Sequence, residues 1–332
     1  MNQTVKNFWI IGISLSCVAL FTGSTNAQNS AFDENTKKKI VFNIASLIED
    51  HYVFPEMAGE ISDTLKLNYE NRNYKRNYNL YSLISTLNYD ISNLAHDEHL
   101  SIKYTYHQMV EGPEEDFRAF LRSQNYGFEK VEMLSGDIGY LKLNFFADTE
   151  GFPEAVRTAE EAMSSFHNAK AIIFDLRENG GGSPEMIQLL SSYLFEGEPI
   201  HLNSFYWRET DSKTETWTYS DVKGERFPNT KVFILTSINT FSAAEEFTYN
   251  LKHLKRATII GEVTRGGAHP VGGYRVNSHI EIFIPVGRAI NPITHTNWEG
   301  VGVKPDVEVS AKDALDVAMQ IIKDLPAESE HN

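Results

Sequence analysis

Four short segments carry residues whose types and spacing could do chemistry. In Phe174-Asp175-Leu176-Arg177-Glu178-Asn179-Gly180-Gly181-Gly182 an apolar run enters three glycines, and Pro184 then opens a helix. Glycines let a ligand approach bare N–H groups. A helix N-terminus adds partial positive charge, so this segment could hold an anion or an oxyanion. It lacks the Gly-Lys-Ser/Thr ending of a phosphate loop, and a plain strand-to-helix turn accounts for the same residues. In Leu235 to Glu246 an apolar run delivers Ser242 to the start of a helix. That placement exposes a hydroxyl and aims N–H groups at whatever it attacks; a serine there is also an ordinary helix cap. In Leu94 to Ser101, His96 and His99 stand three apart around Asp97 and Glu98. Zinc-protease helices space their histidines four apart, and no third ligand cluster follows, so no metal is expected. One histidine could act as a general base or could simply end a helix. In Trp298 to Asp306, Glu299 precedes a glycine-rich turn, where it could orient a base or face solvent.

The elements that position these segments follow from hydrophobic periodicity. Apolar residues at 40, 41, 44, 47 and 48, then across Met57 to Leu67, then at Leu80, Leu83, Ile84, Leu87, Ile91 and Leu94 predict three amphipathic helices. The Lys37-Lys38-Lys39 run reads as a solvated helix face. Farther on, Ile138 to Leu143 alternates like a strand, and Ala169 to Leu176 and Lys231 to Thr236 are short apolar runs suited to strands buried on both faces. Helices are expected over Pro153 to Phe166, Pro184 to Leu194, Ser242 to Leu254 and Lys312 to Leu325. A hairpin is expected over Phe205 to Tyr219, a strand over Ala257 to Ile260, and a frayed tail over Glu328 to Asn332. Strands alternating with helices imply parallel βαβ units. The predicted fold class is α/β: a small N-terminal helical bundle followed by a mixed, partly parallel core. Its expected parts are a leader over 1–27, the bundle over 28–95 and the core over 96–332.

The leader is read from Phe8 to Phe21, an apolar run preceded by Lys6 and followed by Thr25-Asn26-Ala27. This is a secretory signal layout, too short for a confident membrane span. Its removal at Ala27 takes away Cys17, the single cysteine, and with it all disulfide and thiol chemistry. The expected location is periplasmic or extracellular. Lipid attachment at Cys17 is the alternative, although Ser14-Leu15-Ser16 lacks the leucine usually found three positions before such a cysteine. The chain of 332 residues is 41% hydrophobic, a globular share, and its formal net charge of −15 argues against sequence-independent binding to nucleic acid.

Taken in order along the chain, the four segments resemble those of the C-terminal processing (tail-specific) serine peptidases, in the branch of the tricorn protease core and the interphotoreceptor retinoid-binding protein modules. Ile48 to Glu56 is similar to that branch's opening bundle, Asp97-Glu98-His99-Leu100 to its Asp-x-His-Leu segment, and Asp175 to Gly182 to its Asp-Leu-Arg-x-Asn-x-Gly-Gly segment. Phe241 to Glu245 is similar to its nucleophile segment, Gly261 to Ala268 to a following turn, and Glu299 to Asp306 to its Glu-x-x-Gly-Val-x-Pro-Asp segment. The resemblance implies a ClpP/crotonase-like core and a peptide or protein substrate, with no cofactor and no metal. It implies Ser242 as nucleophile, His99 as general base, Glu299 in the supporting hydrogen-bond chain, and the N–H groups of Gly181 and Ala243 as the oxyanion hole. Two positions depart from the relatives. Glu98 stands where the tricorn core has a serine before the histidine, and could accept a hydrogen bond as an auxiliary group. Gly267 stands where the Ser-Lys relatives carry the dyad lysine, which leaves the histidine route. No stretch resembles the PDZ domain those enzymes usually contain. The rival reading is a non-catalytic module that carries apolar ligands, as in the retinoid-binding relatives; the aromatic stretch from Phe205 to Tyr219 favours it slightly.

Overall fold

The computed structural model describes residues 32–105 and 114–325. The expected leader and the expected C-terminal tail lie outside them. In chain order the elements are α1 (Glu34–His51), α2 (Pro55–Glu70), α3 (Leu80–Ala95), β1 (Ser101–Tyr104), α4 (Glu114–Ser123), β2 (Phe128–Leu134), β3 (Ile138–Leu143), α5 (Pro153–Ser164), β4 (Ala171–Asp175), α6 (Pro184–Ser192), β5 (His201–Trp207), β6 (Ser212–Trp217), β7 (Lys231–Thr236), α7 (Ala243–His253), β8 (Thr258–Gly261), β9 (Val271–Asn277), β10 (Ile280–Pro285), β11 (Gly287–Ile290), β12 (Val307–Glu308) and α8 (Ala314–Lys323). The chain divides into two compact units. One takes residues 32–105, 207–212 and 270–288; the other takes 114–206, 213–269 and 289–325.

The first unit holds the three predicted helices. Asp33 caps α1 by accepting the Thr36 N–H at 2.7 Å. Pro55 starts α2, where its missing N–H goes unneeded. Asn79 and Ser82 cap α3 reciprocally. The apolar faces meet as predicted, with Val41, Ile44 and Ile48 of α1, Ile61 and Leu65 of α2, and Leu83, Leu87 and Ile91 of α3 all fully buried. Lys37 departs from the expected solvated face. It is buried, and its Nζ donates to Glu34 at 2.7 Å and to the Tyr74 carbonyl at 3.1 Å; its stem packs while its charge is paired. The unit also runs past the expected boundary at residue 95. An antiparallel sheet, β1-β10-β9, pairs Ile102 with Ile282 and Ile282 with Tyr274. Arg208 donates to the Glu49 and Tyr52 carbonyls at the C-terminal end of α1, where a cation satisfies the last carbonyls.

The second unit is a six-stranded sheet in the order β12-β8-β7-β4-β3-β2. The pairs from β12 to β3 are parallel, and only the β3–β2 edge is antiparallel. Alternate residues face opposite sides. Ile172, Phe174, Ile234 and Ile259 join a core with residues of α5, α6 and α7, while Ile173, Phe233, Leu235 and Ile260 pack under Ala314 and Ala318 of α8. This explains why β4 and β7 read as unbroken apolar runs. The predicted hairpin appears as β5 paired with β6, with the Trp217 ring stacked on His201. Among the described residues no helix is long and apolar enough to cross a membrane.

Candidate active site

Three loops leave the C-terminal ends of neighbouring parallel strands, the place where open α/β sheets gather their ligands. They follow β4, β7 and β8, and hydrogen bonds lace them together. Phe241 N–H donates to the Asn179 carbonyl at 3.0 Å, Thr240 Oγ1 to the Leu176 carbonyl at 2.8 Å, and Arg265 N–H to the Thr240 carbonyl at 3.2 Å. The loop after β4 is anchored at its root by Asp175, fully buried. Burial alone would raise the pKa of this carboxyl. Hydrogen bonds from Arg177 and Tyr140 outweigh it and hold the pKa below the ordinary carboxylate value. Arg177 in turn donates to the Ala311 carbonyl at 2.7 Å.

Ser242 sits where the chain turns from β7 into α7, with φ 56° and ψ −120°. A non-glycine residue in such a conformation is strained, and the sharp strand-to-helix turn is the geometry that presents a nucleophilic hydroxyl. Gly181 lies directly against it. A Cβ built on Gly181 would stand 2.9 Å from Ser242 Cβ and 3.2 Å from the Ala243 nitrogen, and the φ of 112° at Gly181 also calls for glycine. The structure therefore brings Ser242, Ala243 and Gly181 together as predicted. It qualifies one donor. The Gly181 N–H donates to Asn179 Oδ1 at 2.9 Å, so it would have to leave that bond to serve an oxyanion. The Ala243 N–H has no such partner among the described residues.

The third loop is held by a residue that the sequence reading did not single out. Glu245, fully buried one turn into α7, takes four hydrogen bonds. Its Oε2 accepts the Ser242 N–H at 2.9 Å and the Gly267 N–H at 2.8 Å; its Oε1 accepts the Gly266 N–H at 2.6 Å and the Thr264 hydroxyl at 2.5 Å. Burial pushes its pKa up to about 7 against the pull of these donors. The signal was present, since a glutamate three residues after a helix-opening serine is the spacing of a capping box. The same turn carries Glu299. Trp298 Nε1 donates to the Gly267 carbonyl at 2.7 Å, and Glu299 Oε2 accepts the Ala268 N–H at 2.6 Å. His269, also missed, is buried with Nδ1 3.4 Å from Glu299 Oε2. Gly267, at the place of the dyad lysine in the relatives, contributes only backbone.

His99 and Glu98 belong to the first unit. His99 is buried, and its N–H donates to Asp97 Oδ1 at 3.0 Å; Tyr52 donates its hydroxyl to the other Asp97 oxygen at 3.2 Å. Asp97 thus pins the histidine's backbone. The Glu98 side chain is exposed, and exposed His96 ends α3 with φ 50°.

Comparison with known proteins divides the chain near residue 136. Residues 137–309 match the model of peptidase family S41, and residues 33–135 match the N-terminal domain of peptidase S41 in eukaryotic IRBP. The chain is 32% identical over 175 residues to carboxyl-terminal-processing peptidase 2, chloroplastic, of Arabidopsis thaliana, covering 52% of this chain and 32% of that protein. It spans about a third of the length of the curated relatives it matches. A crystal structure described as a candidate peptidase of Parabacteroides merdae superposes with a TM-score of 0.63 at 18% identity, covering 89% of this chain and 98% of that one. The photosystem II D1 C-terminal processing protease superposes with a TM-score of 0.51 at 14% identity, covering 88% and 98%. At these identities the two structures speak for the fold.

Proposed function

Because the chain belongs to peptidase family S41, we propose that it is an exported serine-type peptidase that cleaves peptides or proteins through an acyl-enzyme. The observation that carries the reading is Ser242, held at a positive φ at the head of α7 with the Ala243 N–H beside it and only a glycine opposite. A serine hydroxyl attacks a carbonyl once a base takes its proton. His99, in the family's histidine position, is proposed as that base. Ser242 Oγ bonds to the scissile carbon, and its proton passes to His99 and then to the leaving amine as the C–N bond breaks. Water, deprotonated by the same histidine, then releases the acid and restores the serine. The Ala243 N–H stabilises the oxyanion, joined by the Gly181 N–H when it leaves Asn179. Glu299, fixed by the Ala268 N–H, belongs to the supporting chain. Exposed Glu98 is at most an outer member of it. The leader-like start of the chain supports export to a periplasmic or extracellular site.

The match of residues 33–135 to a domain of a retinoid-binding protein, together with the exposed Trp217 and Tyr219, favours a second reading, a carrier of apolar ligands. A fluorophosphonate probe separates the two. The peptidase reading requires labelling of the full chain that disappears in Ser242→Ala, together with hydrolysis of peptides. A wild-type chain that neither labels nor cleaves, yet binds an apolar fluorophore stoichiometrically, establishes the carrier.

A further inference from the structure

Away from the serine turn, one end of the helical unit gathers exposed cations. The Tyr69 hydroxyl donates to the Glu34 carbonyl at 3.0 Å and the Lys37 ammonium to the Tyr74 carbonyl at 3.1 Å. These bonds bring the start of α1, the end of α2 and the turn before α3 to the same end. The turn, over Asn73–Arg76, is fixed from inside. Tyr74 is buried with its hydroxyl on Asp90 at 2.8 Å, and Asn77 donates to the Ser82 carbonyl and the Thr86 hydroxyl at 2.8 Å each. Arg72, Lys75 and Arg76, on either side of Tyr74, are exposed. Among the described residues no carboxylate pairs with any of the three. Lys38 and Lys39 are exposed near the start of α1. The acids at this end are Asp33, which caps α1, Glu34, which pairs with Lys37, and Glu70. In a chain of net charge −15 this end carries a local excess of positive charge.

The same end carries Tyr78 and Tyr81, 80% and 70% exposed, the two most exposed aromatic side chains among the described residues. Cations beside amphipathic rings suit the boundary between lipid headgroups and acyl chains, where a tyrosine buries its ring and keeps its hydroxyl wet. The course of the chain points the same way. The described residues start at Phe32, whose ring lies 5.5 Å from the Lys37 ammonium. The segment holding the apolar run Phe8 to Phe21 therefore joins the molecule at this end. Eleven residues lead from Phe21 to Phe32, a reach of at most ~40 Å. A leader retained in a bilayer, or a lipid on Cys17, presents this end to the membrane. The negative charge of the rest of the chain is screened beyond about 8 Å at physiological salt, so the touching face decides. Nucleic acid also offers phosphates, but exposed rings close to a bilayer-seeking segment favour lipid.

We propose that this end of the first unit docks on an anionic phospholipid surface, with Arg72, Lys75 and Arg76 meeting headgroup phosphates and Tyr78 and Tyr81 entering the interface; the proposal goes beyond the peptidase reading and does not depend on it. Docking puts the length of α3, about 24 Å, between that surface and the His99 segment. The test partitions the full chain onto sedimented vesicles of phosphatidylcholine, and of phosphatidylcholine with about 30% phosphatidylglycerol, at about 0.1 M salt. The apolar run contributes alike to both, so the ratio of the two partition constants reads the face. Wild type should favour the anionic vesicles at least about tenfold. The combined variant Arg72→Gln, Lys75→Gln, Arg76→Gln should bring the ratio to within about threefold of one, as should raising the salt to about 0.5 M. Lys213→Gln with Lys255→Gln, exposed cations of the second unit, should leave it unchanged. Tyr78→Ser with Tyr81→Ser should weaken binding to the anionic vesicles at least about threefold. All these side chains are exposed, and thermal melts check that each variant is folded. Equal partition of wild type onto both vesicles, a preference kept in the arginine and lysine variant, or the same loss from the Lys213 and Lys255 pair overturns the proposal. Tyrosine variants that bind as wild type does overturn the placement of the rings. A single-stranded oligonucleotide bound as tightly as the anionic vesicles, through the same three cations, makes this a nucleic-acid face and overturns it too.

Discussion

Glu245 should be the residue on which the architecture around Ser242 depends most. Glu245→Gln keeps the side chain's shape but exchanges one acceptor oxygen for a donor. The least costly arrangement puts the new amide at the Oε1 position, where the Thr264 hydroxyl can turn to accept from it. The Gly266 N–H then faces another donor, and one buried unsatisfied group costs about 1–3 kcal/mol. Against this, glutamine removes the burden of burying a charge. With a folded pKa near 7 and an unfolded one near the ordinary glutamate value, the native state holds the extra proton between them. Wild-type stability from this group is thus fully present below about pH 4.5 and is lost as pH rises through about 7. It changes by about 1.4 kcal/mol per unit within that window. The destabilisation by Gln should therefore be largest near pH 4.5 and shrink towards neutrality. The assay is denaturant unfolding of both proteins at half-unit steps from pH 4.5 to 8, with peptidase turnover alongside. Turnover should drop on the order of 10²-fold, because the Gly266 N–H loses its acceptor and the loop that shares Glu245 with the Ser242 N–H shifts. A difference in stability that is small and flat across that range, with turnover intact, would refute the assignment.

Ser242→Gly should abolish turnover while leaving the melting temperature equal or higher, since glycine relieves a backbone strain of order 1–3 kcal/mol; a marked loss of stability would show that the positive φ is not strained. Gly181→Ala should lower both stability and turnover, because the added methyl meets Ser242 Cβ and the φ of 112° excludes it; differential scanning calorimetry and peptide hydrolysis check this, and a silent variant contradicts the close approach. His99→Ala should reduce kcat/KM by about 10²–10⁴-fold, the scale of a general base, whereas His96→Ala, at an exposed helix end, should change it little. Equal losses from the two would reassign the histidines to a shared structural role.

The sequence was most legible where one physical constraint dominates. β4 and β7 stood out because burial on both faces leaves only apolar residues, and α1, α2 and α3 because a single buried stripe repeats at the helical period. Ser242 and Gly181 stood out less by their own segments, which an ordinary helix cap and a plain strand-to-helix turn also explain, than by the order of the four segments along the chain. β1, β9 and β10 were not. Their pairing joins distant parts of the chain, and Gly272, Gly273 and Arg275 break the alternation that would have marked a strand. Glu245 and Glu246 were hidden for another reason. Two acids in a first helical turn are what the helix dipole favours on any surface, and nothing local tells that these two are buried. Lys37 misled in the mirror sense, as its pairing with the Tyr74 carbonyl depends on a segment far along the chain.

The long-range pairing of β1 has a consequence for the order in which the molecule assembles. The strand that directly follows His99 finds its neighbour only in β10, and β10 finds its own in β9. A growing chain therefore exposes the histidine segment while only the contacts through Asp97 and Tyr52 can hold it. The helices can form early from local contacts, but the sheet must wait until residue 285 has emerged, by which time β3, β4, β7 and β8 are all available to pair. Loop closure over such a separation is slow, and an unpaired strand is open to wrong partners while it waits. The segment bearing the proposed base is thus among the last to settle, so an incompletely made chain holds its serine turn without a settled histidine.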